Sequence, residues 1–151
     1  MIDADGKLRD LSKVIKDWNG ATLSEASLAK VAKLKTDKLP LVRGKPRMGC
    51  PVANVGKFIA IGLNFFDHAE ESGMPIPKEP IVFMKATSCI VGANDNVMLP
   101  KGSVKTDWEV ELGIVIGKQA RYVSQKSAYD YVAGYCTIND VSEREFQLER
   151  G

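Results

Sequence analysis

The decapeptide Asp107-Trp-Glu-Val-Glu-Leu-Gly-Ile-Val-Ile116 constrains this chain more than any other stretch. Polar and apolar residues alternate over its first half, and its second half is a short apolar run. Alternation with period two is the signature of a strand with unlike faces. Residues 107, 109 and 111 then point one way, and Trp108, Val110 and Leu112 the other. Three carboxylates on one face repel one another if all are ionised, and are costly inside a core. Two readings follow. The face is simply solvated, or it presents oxygen ligands to a hard cation such as Mg²⁺ or Ca²⁺, which prefers carboxylates and retains several waters.

The rest of the chain fits a β-rich fold. Phe58–Leu63 and Leu112–Ile116 are the longest apolar runs. They are strand-sized and far short of the ~20 residues of a membrane span. The spacing predicts a buried strand over residues 57–63 and another over Ile81–Lys85. The strongest strand is expected over Trp108–Ile116, with a further short one over Tyr135–Ile138. A short helix is expected between Asn64 and Gly73, with Gly73 at its end. Ser124 is expected to cap a helix running through Val132. Thr22-x-x-Glu25 and Ser142-x-x-Glu145 have the form of capping boxes, which predicts helix starts at both. Pro75, Pro77 and Pro80 force an extended loop, and residues 37–51 hold enough Pro and Gly to read as a linker. The fold class is therefore mixed α/β and β-rich. Residues 1–51 are expected to form a small N-terminal domain and linker ahead of a strand-rich portion at 52–151. A dinucleotide-binding glycine fingerprint and a P-loop are both absent.

Charge excludes some functions. The formal net charge of +2 divides into +5 over residues 1–50 and −3 over 51–151. The basic part has no dense Lys/Arg run and no interleaved aromatics, which argues against nucleic acid as a partner. Cys50, Cys89 and Cys136 lie 39 and 47 positions apart. An odd, widely spaced set suits buried free thiols better than a disulfide framework or a zinc site. With no signal-peptide pattern at the N-terminus, a cytoplasmic location without membrane association is expected.

Other residues carry possible chemistry. His68 is the single histidine, and on a helix Glu71 would lie one turn away at i+3, able to orient and activate the imidazole. A surface histidine on a polar helix is the plainer reading. Lys85 ends an apolar strand, either snorkelling or meeting a substrate carboxylate. Asn139-Asp140 is either an ordinary turn or a source of a further ligand. Arg144 and Gln147 share a helix face at i and i+3.

Taken together these stretches resemble one family. Gly62-Leu-Asn-Phe-Phe-Asp-His-Ala-Glu-Glu71, Glu79-Pro-Ile-Val-Phe-Met-Lys85, Asp107 to Lys118, Val132-Ala-Gly-Tyr135 and Asn139-Asp-Val-Ser-Glu-Arg144 are similar, in order and spacing, to the fumarylacetoacetate hydrolase family. Within it, the chain looks like the bacterial branch variously labelled 2-hydroxyhepta-2,4-diene-1,7-dioate isomerase, ureidoglycolate lyase or 2,4-dioxo-3-deoxy-sugar-acid hydrolase. Asp10-Leu-Ser12, Leu39-Pro-Leu-Val42 and Arg47-x-Gly49 extend the likeness to the leader. The resemblance implies a small N-terminal domain followed by part of a mixed β-sandwich roll, usually homodimeric. It implies Glu109, Glu111 and Asp140 as ligands of Mg²⁺ or Mn²⁺, and His68 with Glu71 as a lid dyad that handles a proton or water. It places Lys85, Arg144 and Gln147 along the pocket of a small 2-oxo acid substrate. The implied reaction runs through a metal-bound enolate of a 2-oxo or 2,4-dioxo acid. Hydrolysis of a C–C bond in an acylpyruvate-like substrate is favoured, and isomerisation and decarboxylation are alternatives. Residues 52–151 match only the first half of the family's catalytic domain, so an inactive binding module is a third expectation. Phe65-Phe66, Glu143 and Glu145 depart from the branch, where Tyr-Ala, Ala and Asp are common.

Overall fold

The computed structural model describes residues 1–150. Six strands pair antiparallel as three two-stranded ribbons. Strands β1 (Phe58–Gly62) and β2 (Ile81–Lys85) pair in register from Phe58↔Lys85 to Gly62↔Ile81. The short strands β3 (Thr106–Asp107) and β6 (Ser142–Glu143) pair through Thr106↔Glu143 and Asp107↔Ser142. The longest ribbon joins β4 (Val110–Ile116) to β5 (Val132–Asn139), from Val110↔Asn139 to Ile116↔Val132, with an irregularity at Val115/Ile116. The helices are α1 (Glu25–Ala32) and α2 (Phe66–Glu71).

Local chemistry accounts for these elements and moves some of the expected boundaries. Helix α1 starts at Ser24, whose Oγ accepts from the Ser27 amide at 3.2 Å. The expected cap, Thr22, instead donates its hydroxyl to Asp17 O at 2.6 Å. The strand expected over Trp108–Ile116 begins at Val110, because Asp107 has paired with Ser142 in a separate ribbon. That pairing also removes the helix start expected at Ser142: β6 takes Ser142, and a single π-turn over Glu145–Glu149 follows. The capping function passes to Glu143, whose Oε2 accepts from the Phe146 amide at 2.9 Å. Residues 125–131 form a 3₁₀ helix with Ser124 at its start, where the Ser124 hydroxyl meets the Ser127 hydroxyl and caps no amide. Helix α2 ends as expected, with Gly73 in the left-handed region at φ 63°.

The N-terminal segment closes on itself through Arg9. Its guanidinium donates to Asp3 Oδ2 at 2.6 Å and to Leu39 O at 3.1 Å, and Arg9 pairs with Leu41. Arg47 then fastens the linker to the strand-rich portion. Its Nε donates to Asp95 Oδ1 at 2.7 Å and its Nη2 to Asp95 Oδ2. Gly92 donates to the same carboxylate at 2.6 Å, and a Cβ on Gly92 would stand 2.2 Å from Met48 O. Only a glycine allows the two segments this close.

The apolar faces are largely uncovered. Leu11, Leu23 and Ala69 are the buried apolar residues among those described. Trp108 and Val110 are each 74% exposed, and Leu112, Ile114 and Ile116 continue the same face of β4. The strand expected to be buried at residues 57–63 is β1, whose Ile59 and Ile61 are exposed. The thiols expected to be buried are free but accessible: Cys50 and Cys89 are exposed and Cys136 is half-buried. No described helix is long and apolar enough to cross a membrane.

Candidate active site

The candidate site lies where β4 begins and β5 ends. Beyond Val110↔Asn139, pairing continues by one step: the Asp140 amide donates to Glu109 O at 2.9 Å, and the Glu109 amide to Asn139 Oδ1 at 3.2 Å. Antiparallel neighbours share a face. Glu109, Glu111 and Asp140 therefore stand on one face of the ribbon, opposite the exposed Val110 and Leu112.

Two cations meet this face. Lys85, the last residue of β2, brings its ammonium to 2.5 Å from Asp140 Oδ1 and donates to Val141 O at 3.3 Å. The ammonium sits off the hydrogen-bonding direction of Oδ1, so this buried oxygen accepts no directed hydrogen bond. Buried polar atoms are nearly always satisfied, and an exception needs a reason. Arg144 comes from the other side. It follows β6, its amide donates to Lys105 O at 2.9 Å, and it opens the π-turn. Its Nε and Nη2 both donate to Asp107 Oδ2, at 3.0 and 2.9 Å, and its Nη1 donates to Gln147 Oε1 at 2.8 Å. The same Nη2 lies 3.0 Å from Glu109 Oε1. The Arg144 hydrogen bond holds the Asp107 carboxyl below the usual carboxylate range, although partial burial opposes it. Glu143 is held low as well, first by the Phe146 amide and further by the Lys105 amide and Ser103.

The structure thus gathers five of the eight expected site residues: Glu109, Asp140, Lys85, Arg144 and Gln147. Glu111 shares their face and has no charged or hydrogen-bonding partner among the described residues. The three carboxylates do not converge; no three His, Cys, Asp or Glu side chains among the described residues lie close enough to hold a metal ion. Asp140 turns to Lys85 and Glu109 to Arg144 instead. The donor set nevertheless fits a hard cation in kind. It is all oxygen, it comes from β4 and from the residues that flank the β4–β5 ribbon at one end, and Asp140 Oδ1 is an acceptor with no directed donor.

His68 and Glu71 stand apart. Both are exposed on α2, and no hydrogen bond joins them to each other or to the carboxylates among the described residues. The expected contact within this pair is therefore not made. Helix α2 seats Ala69 over a cavity of about 280 Å³ lined by Ile61, Leu63, Phe65, Ile76, Pro77 and Pro80. Leu63, at the turn into α2, takes φ 49°, a left-handed conformation that costs a non-glycine residue about 1–2 kcal/mol.

Asp107 and Glu143 are site residues that the sequence reading left without a role. Asp107 was visible as one of three alternating carboxylates. Nothing local marks it as the anchor of Arg144, since that depends on the β3–β6 pairing.

Residues 57–151 match the family model "Fumarylacetoacetate (FAA) hydrolase C-terminal". The chain belongs to the fumarylacetoacetate hydrolase family. A Burkholderia lata protein named "Putative hydrolase" is 60% identical over all 151 residues. A "Putative hydrolase" of Burkholderia cenocepacia is 59% identical over the same span. The chain covers 54% of each, about half the length of these relatives. Among solved structures, a fumarylacetoacetate hydrolase from Exiguobacterium antarcticum aligns with a TM-score of 0.75 at 28% identity, over 99% of this chain and 53% of that one. A 5-carboxymethyl-2-hydroxymuconate delta-isomerase from Mycobacterium smegmatis aligns at 0.60 and 35% identity, over 72% of this chain and 45% of that one. The mixed, β-rich architecture is thus that of half a fumarylacetoacetate hydrolase fold, among neighbours named as hydrolases and isomerases.

Proposed function

We propose that the protein carrying this chain is a divalent-metal-dependent enzyme acting on 2-oxo or 2,4-dioxo acids, with C–C bond hydrolysis of an acylpyruvate-like substrate as its reaction. One observation carries the reading: Glu109, Glu111 and Asp140 share a face at the mouth of the β4–β5 ribbon, with two cations beside them. The three carboxylates would hold Mg²⁺ or Mn²⁺. Such an ion would polarise the 2-oxo group and stabilise negative charge developing on it.

The chain's own residues do the rest. Arg144, fixed on Asp107 and Gln147, presents a planar fork suited to a carboxylate. Lys85 adds a second positive charge, so an anionic head group is favoured over a neutral one. His68 is the single histidine, and an imidazole is the side chain best suited to move a proton near neutrality. On the exposed, short α2 beside its cavity, it serves as a lid residue that reaches the site when α2 closes, with Glu71 one turn on to orient it. Exposed apolar faces such as that of β4 suit a homodimer or further chain packed against them.

Isomerisation is the second reading, favoured by the delta-isomerase name of a structural neighbour. The experiment is product analysis on an acylpyruvate with the protein at its relatives' full length, with Mg²⁺ and with chelator. Hydrolysis gives two fragments in a Mg²⁺-dependent reaction that Glu109→Ala or Glu111→Ala abolishes. A spectral shift without fragments selects isomerisation. Turnover that survives both chelator and Glu109→Ala overturns the metal reading.

A further inference from the structure

Arg144 is the most heavily engaged side chain in the site, and its partners are of two kinds. Asp107 takes two of its hydrogen bonds through one oxygen, and Gln147 takes a third. These hold the guanidinium in place. Glu109 lies 3.0 Å from the same Nη2 that Asp107 already accepts from. It is thus a shared, secondary partner. Arg144 and Glu109 are both mostly buried, with side chains 28% and 22% exposed, so their attraction is only partly screened by water.

We infer that Arg144, anchored by Asp107, is a built-in counter-cation of Glu109, and that a divalent cation binding at Glu109 competes with it directly. This rests on the reading of Glu109 as a metal ligand. It deepens that reading, because loss of the Glu109 contact leaves Arg144 anchored on Asp107 through Nε and one Nη2 hydrogen, with the other Nη2 hydrogen released for an anion. Cation binding and anionic-substrate binding are then linked through one guanidinium, and such linkage is reciprocal. Asp107 is the positioning residue: its carboxylate stays with Arg144 in both states, which accounts for a third alternating carboxylate that is not itself a ligand.

The consequence runs against the usual effect of losing a site residue. Arg144→Gln should bind Mg²⁺ more tightly than the unaltered chain, by about fivefold or more, the lower edge of ordinary coupling between sites. The test is calorimetric titration of the full chain with MgCl₂ alone, at physiological ionic strength, so that distant charges are screened beyond about 8 Å. Arg144→Lys keeps the positive charge and should stay within about twofold of the parent. Lys105→Gln, which removes a cation paired with Glu149 rather than Glu109, should do likewise. Should Arg144→Gln fail to fold because Asp107 is left alone, Asp107→Asn with Arg144→Gln removes both charges, and should bind Mg²⁺ more tightly than Asp107→Asn. Equal or weaker Mg²⁺ binding in the Arg144→Gln variants, with a parent that binds, overturns the inference and leaves the metal reading intact. Absence of Mg²⁺ binding from the parent and from every variant overturns both.

Discussion

Replacing Lys85 with methionine tests the site through its stability. Met keeps most of the aliphatic stem and removes the charge. In the structure the Lys85 and Asp140 side chains are 23% and 14% exposed, and the ammonium lies 2.5 Å from Oδ1. Lys85→Met would leave a mostly buried carboxylate whose Oδ1 has no directed donor. Breaking a fully buried pair from one side costs about 3–5 kcal/mol. The residual exposure admits water and lowers this to roughly 2–3 kcal/mol. For a chain of this length that is a fall in melting temperature of roughly 5–10 °C. The assay is urea denaturation followed by circular dichroism on Lys85→Met, Asp140→Asn and the double variant. The cycle isolates the pair, and the double variant should recover to within about 1 kcal/mol of the parent, since no orphan charge remains. Mg²⁺ should restore part of the stability of Lys85→Met by supplying the missing positive charge. A single variant within about 0.5 kcal/mol of the parent, as is usual for surface substitutions, would refute the reasoning.

Three further outcomes are expected. Gly92→Ala places a Cβ 2.2 Å from Met48 O, a backbone clash that cannot be relieved by rotating a side chain. It should destabilise by about 1–3 kcal/mol and expose residues 43–51 to limited proteolysis. Asp95 is held below the usual aspartate value, first by its hydrogen bond from Arg47 and then by the Gly92 amide. Its contribution is present above the unfolded value and lost as pH falls through the lower folded value, so Asp95→Asn should flatten the acid limb of a melting-temperature-against-pH curve below about pH 4. Ser24→Ala removes the cap of α1 and should cost about 1 kcal/mol, read by chemical denaturation, whereas Thr22→Ala should leave the helix start unchanged.

What could be read from sequence follows the range of the interaction. Ile81–Lys85 is a strand in both accounts because its apolar, β-branched run is a local property. Gly73 ends α2 because only glycine takes φ 63° without strain. The errors lie where a distant partner competes. Asp107 belongs by alternation to the strand after it, yet pairs with Ser142 across the chain and breaks that strand at Trp108. Ser142 loses its capping role to the same pairing. Thr22 and Ser24 are both plausible caps, and the choice falls to Ser24 because the Thr22 hydroxyl is taken by Asp17 and Asn19 carbonyls. In the site, the carboxylate face of Glu109 and Glu111 was legible from alternation, and the proposed role of Asp140 came only from the family resemblance. That Lys85 and Arg144 are engaged with those carboxylates was not legible, because each contact joins separate ribbons. The accessible thiols and the bare β1 were misread for one reason: burial depends on what packs over a segment, which its own residues do not display.

The central claim is that this carboxylate face takes a divalent cation together with an anionic 2-oxo acid head group. The most direct measurement is a thermal melt of the chain with Mg²⁺, with oxalate and with both. A ligand that binds only the folded state at one hundred times its Kd stabilises by about 2.7 kcal/mol. The account predicts an upward shift that is largest when both are present and is lost in Glu109→Gln. No shift under any condition, or an equal shift in Glu109→Gln, would contradict it.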